Sequence, residues 1–167
     1  MPPFPPASPI SASSHWVNSV QALMAALYDP LVTHVLLGVA GSPYLLNETM
    51  RLHRNLTLQA QFEGAVTLDA QGQQPLLYVG GAATVRLDGL DLVGGFTKGD
   101  GGCGVVAAGM LTLYRCQVRG NYARMGGGAF MVTHGMMHLE ECTVRNNRAS
   151  GRGGAFYLAL AASTVTL

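Results

Sequence analysis

Arg119 and Arg145 stand 26 residues apart, and Arg115, Arg124, Arg148 and Arg152 lie beside them. A guanidinium fork holds a carboxylate through two parallel hydrogen bonds, so such a strip suits the acid groups of a uronic-acid polymer. The plainer reading, which surface charge favours, is that these residues keep a turn or strand edge solvated. Tyr78, Phe130 and Phe156 supply an aromatic column at the same interval, interrupted at Gly104. Two orientations are open for it. Facing outward, the rings offer a platform for sugars or another protein; facing inward, they are core.

Asn121 and Asn147 share the 26-residue interval, as do Cys116 and Cys142. The asparagines fit a polar ligand site or, better, an amide ladder bonding to itself and to turn backbone. The cysteines take the place that Leu90 holds one interval earlier, so they are expected to point inward as a thiol pair without a disulfide. Cys103 reads as packing, and no Cys/His spacing matches a metal site. Asp88 and Asp91 with Arg86 are the nearest approach to an acidic cation site, yet calcium takes six or more oxygens. Glu140-Glu141 reads as a turn pair. Asn47-Glu48-Thr49 and Asn55-Leu56-Thr57 are acceptor sequences for glycosylation at Asn47 and Asn55.

The interval itself dictates the scaffold. Gly127-Gly128-Ala129-Phe130 and Gly153-Gly154-Ala155-Phe156 repeat it, and three units are visible between Leu76 and Leu167. A period of this length with glycine punctuation marks a solenoid. Runs such as Met137-His138-Leu139 and Cys142-Thr143-Val144 alternate apolar and polar residues with the period of a half-buried strand. Polar and Gly-rich connectors separate them. Each unit therefore reads as three short strands and three turns, and the fold as an all-β parallel β-helix. A fourth unit upstream aligns Met50-Arg51-Leu52 with Val85-Arg86-Leu87, a step of about 35 residues that needs an insertion near Gln59–Gln74.

The N-terminal segment differs. Trp16, Val20, Leu23, Met24 and Leu27 have helical spacing, which predicts a helix over Val17–Tyr28, capped by Ser13 or Ser14 and ended by Pro30. Laid over the first coil, that helix would cover an exposed strand edge. The run Val35–Val39 is expected to be the first buried strand. Residues 1–15 read as a Pro/Ser-rich flexible lead-in and 16–167 as one β-helix domain, expected to be truncated at its C-terminal end because Thr164–Leu167 stops within a strand.

Composition agrees with a turn-rich β fold: 22 glycines and 11% charged residues among 167, with a mean hydropathy of +0.25. A formal charge of +1 gives no footprint of a nucleic-acid partner. There is no 18-residue apolar run for a membrane-spanning helix, and no basic and apolar leader of a secretory signal.

The GGA-Phe marks, together with Val118-Arg119-Gly120-Asn121 and Val144-Arg145-Asn146-Asn147 in the place of an FxxN mark, resemble right-handed parallel β-helix proteins of the pectin-lyase-like class. They are most similar to polymorphic outer-membrane protein repeats, with Val in place of Phe. The resemblance spans Val17 to Leu167 and implies a right-handed coil and an extracellular or cell-surface location. The NTD, DD, GHG and RIK motifs that it would imply for a hydrolase are missing, Thr133-His134-Gly135 being a partial echo of one. The expectation is therefore a non-enzymatic domain for adhesion, polysaccharide contact or structural spacing, with no cofactor and no metal. Its partners would be a polysaccharide, another surface protein, or further coils of a longer parent. The alternative is a fragment of a polysaccharide lyase or glycoside hydrolase of the same fold.

Overall fold

The computed structural model describes residues 14–159 and 163–167. They form a parallel β-solenoid of about five turns with one short N-terminal helix. Four sheets run along its sides. Sheet I has seven strands: Ser14–Val17, His34–Leu37, Leu56–Ala60, Thr84–Asp88, Met110–Tyr114, Met136–Glu140 and Thr164–Thr166. Sheet II has five: Tyr44–Leu45, Val66–Asp69, Leu90–Val93, Gln117–Arg119 and Thr143–Arg145. Sheet III has three two-residue strands, Phe96–Thr97, Tyr122–Ala123 and Arg148–Ala149. Sheet IV has five: Met50–Leu52, Leu77–Val79, Gly104–Ala107, Phe130–Thr133 and Phe156–Leu158. The chain visits them in the order I, II, III, IV.

Strand alternation builds the core directly. In Leu56–Ala60 and Met110–Tyr114 every second residue is buried, and parallel pairing stacks those residues coil on coil. Val35, Leu58, Leu87, Leu113 and Leu139 form one such inward column. Neighbouring strands lie about 4.8 Å apart, so each leucine meets the next in van der Waals contact.

Corners carry left-handed residues that also repeat: Ala82 (with Gly81 before it), Ala108 and His134 between sheets IV and I, and Gly89, Arg115 and Glu141 between I and II. A non-glycine residue in this conformation costs about 1 kcal/mol. The GGA mark has a physical reading at the corner before sheet IV. Gly127 has φ +62, and a Cβ on Gly128 would sit 2.2 Å from the carbonyl oxygen of Gly154. Ala129 and Phe130 behind them are fully buried.

Three expectations change. Sheet III makes the last three coils four-stranded rather than three-stranded, because a two-residue strand leaves no alternation to read. Met50–Leu52 pairs with Leu77–Val79, and Leu56-Thr57-Leu58 with Val85-Arg86-Leu87. The apparent 35-residue step was thus a register error of one strand, and the supposed insertion contains the strand Val66–Asp69. The first buried strand is His34–Leu37, Val39 starting a 3-10 turn.

The helix, α1 (Val20–Tyr28), starts later than its apolar spacing predicts. Ser19 caps it, its hydroxyl accepting from the Ala22 N–H at 3.1 Å. Ser14, Trp16 and Val17 belong instead to a strand beside His34–Leu37, with Trp16 half exposed; Ser13 lies outside the described residues, as does most of the lead-in, residues 1–13. Arg54 closes the other end of α1. Its guanidinium donates to the Ala26, Leu27 and Asp29 carbonyls at 3.1, 3.2 and 2.8 Å, and also to that of Val32. Those carbonyls have no intrahelical partner, so one cation satisfies the helix C-terminus.

Candidate functional site

Sheet IV decides the aromatic column. Gly104 pairs with Leu77 and with Phe130, so the inward column runs Met50, Leu77, Gly104, Phe130, Phe156. Phe130 is 0% exposed and stacks on Phe156 at 6.5 Å between ring centres. Phe130 is core and Phe156, partly buried, packs against it, so of the two open orientations both rings take the inward one and neither offers a ligand surface. Tyr78 lies one residue out of that register because the step from Leu77 to Gly104 is 27 residues rather than 26. It stands on the outer column with Arg51, Val105, Met131 and Tyr157. His53 packs at 5.6 Å and the Arg51 guanidinium at 5.9 Å from the Tyr78 ring.

The asparagines sit at the corner between sheets II and III and form a ladder. Asn121 is 1% exposed. Its Nδ2 donates to Asn147 Oδ1 at 2.9 Å and to the carbonyls of Leu92 and Arg119, while its Oδ1 accepts from the Gly95 N–H at 2.8 Å. Asn147 Nδ2 donates to the Val118 carbonyl at 2.8 Å. Every polar atom of the Asn121 side chain is thus used within the corner. Sheet III appears in the same three coils that carry this corner chemistry.

Cys116 and Cys142 are free thiols pointing inward, Cys116 buried and Cys142 half-buried. Each donates to a carbonyl of its own coil and one of the preceding coil, at 3.3–3.5 Å. The neighbouring Cys142 thiol, together with burial, holds the Cys116 thiol up, and the proximity of Cys116 brings Cys142 down to about 7. Cys103 is held protonated by burial. Among the described residues no group of three or more His, Cys, Asp or Glu converges as a metal site. Asn47 and Asn55 are exposed, and Asn55 Oδ1 accepts from the Thr84 N–H at 2.8 Å.

Charge divides between two faces. On sheet I, the Tyr114 ring lies between the Arg86 and Arg115 guanidiniums, each 4.6 Å from its centre. Arg86 pairs with Asp88 at 3.3 Å, and Arg115 with Glu141 at 2.9 Å and Glu63 at 3.8 Å. Asp88 is therefore committed to Arg86, and it does not join Asp91 in an acidic cluster. Asp91 is 5% exposed and is clasped by Arg119, Nε to Oδ1 at 3.1 Å and Nη2 to Oδ2 at 2.5 Å. Arg119 is spent on that pair; Arg145, opposite it on the next coil, is exposed.

Around sheet III the pattern reverses. Phe96, Tyr122 and Arg148 occupy one outward column, the two rings stacked at 5.8 Å. Tyr122 Oη lies 2.6 Å from Ser150 Oγ. Lys98, Arg124, Arg145, Arg148 and Arg152 are exposed here, and none has a carboxylate partner among the described residues. Sequence reasoning passed over the Phe96–Tyr122 stack, although 96, 122 and 148 keep the 26-residue interval, because the surrounding residues show no alternation.

Two crevices lie elsewhere. One of about 290 Å³ lies where α1 ends, lined by Tyr28, Pro30, Arg51 and His53; another of about 390 Å³ is lined by His34, Asn55, Thr57 and Arg86. Comparison of the chain with family models, curated proteins and solved structures gave no match. No helix among the described residues is long and apolar enough to cross a membrane.

Proposed function

We propose that this chain is a non-enzymatic β-solenoid domain of an extracellular or surface protein, used for adhesion or polysaccharide contact. The finer kinship, a right-handed coil of the pectin-lyase-like class with polymorphic outer-membrane protein type repeats, rests on the GGA-Phe and Asn marks. The observation that carries the functional reading is the face around sheet III. There, beside a stacked aromatic pair, the solenoid exposes Lys98, Arg124 and Arg148, flanked by Arg145 on sheet II and by Arg152, which donates to Tyr157 Oη; none of the five has a carboxylate partner among the described residues. A rigid row of this kind presents repeated contacts without an ordering cost for each, which favours binding to a repeating partner. Purified domain applied to a glycan array and to immobilised surface proteins tests the reading. Specific retention is expected; no retention on either would reduce the domain to a spacer.

A further inference from the structure

The geometry points to a defined site for an anionic glycan on the outer face of sheet III, lying along the solenoid axis. This inference rests on the contact reading above and adds its location and ligand chemistry. Phe96, Tyr122 and Arg148 follow one another on successive coils, so the column spans about 10 Å, two coil spacings. The stacked, half-exposed rings of Phe96 and Tyr122 supply an apolar surface for the C–H face of a sugar. Arg124 follows directly after Tyr122–Ala123, and Arg148 heads the next strand of the sheet. Both are exposed forks with free donors, matched to carboxylate or sulfate in two-point contacts. Ser150 adds a hydroxyl, 2.6 Å from that of Tyr122.

The shape of the strip selects among polyanions. It is narrow, an aromatic pair continued by Arg148 with Arg124 alongside, where a duplex needs cations spread across two phosphate rows. The chain as a whole carries a formal charge of +1, so long-range attraction for a dense polyanion is weak and local geometry must supply the affinity.

Calorimetry with the full chain tests the site, using a carboxylated uronan oligosaccharide, a sulfated oligosaccharide, a neutral glucan of equal length and a single-stranded oligonucleotide. One or both anionic glycans are expected to bind, the stronger arm identifying the acid group, and the neutral glucan to bind at least about tenfold more weakly. Arg124→Glu combined with Arg148→Glu should lose about a hundredfold, each removed ionic contact being worth about tenfold. Tyr122→Ala should lose binding that Tyr122→Phe retains, and His138→Ala on sheet I should change nothing. Melting curves establish that each variant is folded. Unchanged affinity in the double variant, or oligonucleotide binding as tight as glycan binding and indifferent to Tyr122→Ala, would overturn the site. A wild-type chain that binds neutral glycan or a surface protein but no anionic glycan also overturns it while leaving the contact reading intact; a chain that binds nothing removes both.

Discussion

Sheet I and sheet III are laid down by the same coils, yet they treat charge in opposite ways. On sheet I each arginine finds an acid or an aromatic face within its own or the neighbouring coil: Arg86 with Asp88, Arg115 with Glu141, and both with Tyr114. Around sheet III the exposed cations Lys98, Arg124 and Arg148 have no carboxylate partner among the described residues, and on the adjoining sheet II Arg145 stands opposite Arg119, which is itself taken up by Asp91. A solenoid converts sequence period into surface columns. Opposite charges one period apart therefore give a self-neutralised wall, and like charges one period apart give a face whose field is left for a partner.

That contrast can be broken at its foundation. Asn121→Leu removes the amide that holds the corner between sheets II and III, leaving the Gly95 N–H and the carbonyls of Leu92 and Arg119 unpaired. A loss of about 3 kcal/mol is expected, roughly a 10 °C fall in melting temperature. Hydrogen exchange should quicken in sheet III while sheet I keeps its protection; uniform loss of protection would show that the ladder does not build sheet III in particular. Arg119→Ala leaves Asp91 buried without its cation, at a cost of about 2 kcal/mol since the arginine is partly solvated. The Asp91→Asn, Arg119→Ala pair should recover part of it in denaturant titrations.

Smaller effects sharpen the other side. Tyr114→Ala takes away two cation–π contacts, about 1 kcal/mol in total, and should leave glycan binding untouched; a binding defect would mean that sheet I shares the contact role. Least is expected from the thiols at the corner between sheets I and II. With Cys142 at about 7 against 9.0 for an ordinary thiol, stability from its thiolate is present above pH 9 and is lost as pH falls through 7. Cys116, held up, opposes this only above pH 9. Alkylation of Cys142 should accordingly rise with a midpoint near pH 7 and spare Cys116, whereas equal labelling of both would contradict the asymmetry.

The 26-residue interval made the solenoid, the asparagine ladder and the inward cysteines legible, because each is a column whose members keep one spacing. The interval failed where the coil length changes. The step is 27 residues from Leu77 to Gly104, 29 from Leu56 to Val85 and 23 from His34 to Thr57. One extra residue was enough to put Tyr78 in the same line as two core phenylalanines, because strand side chains alternate faces. Sheet III was invisible for a different reason. Its strands are two residues long, and what creates them is a backbone N–H bonded to a side chain one coil away. The α1 boundary was missed because Trp16 and Val17 are as compatible with a strand as with a helix, and pairing with Leu36 and Leu37 decides between them.

Those unequal coil lengths describe a scaffold whose strands keep step while its corners take up slack. Gln71 and Gly72 both adopt left-handed conformations between sheets II and IV, in a coil without a sheet III strand, and a Cβ added at Gly72 would touch nothing within 4 Å. This corner is the natural graft point of the molecule. A foreign peptide spliced in there would be displayed away from the core, on a frame whose coil-to-coil pairing already tolerates a change of several residues at that level.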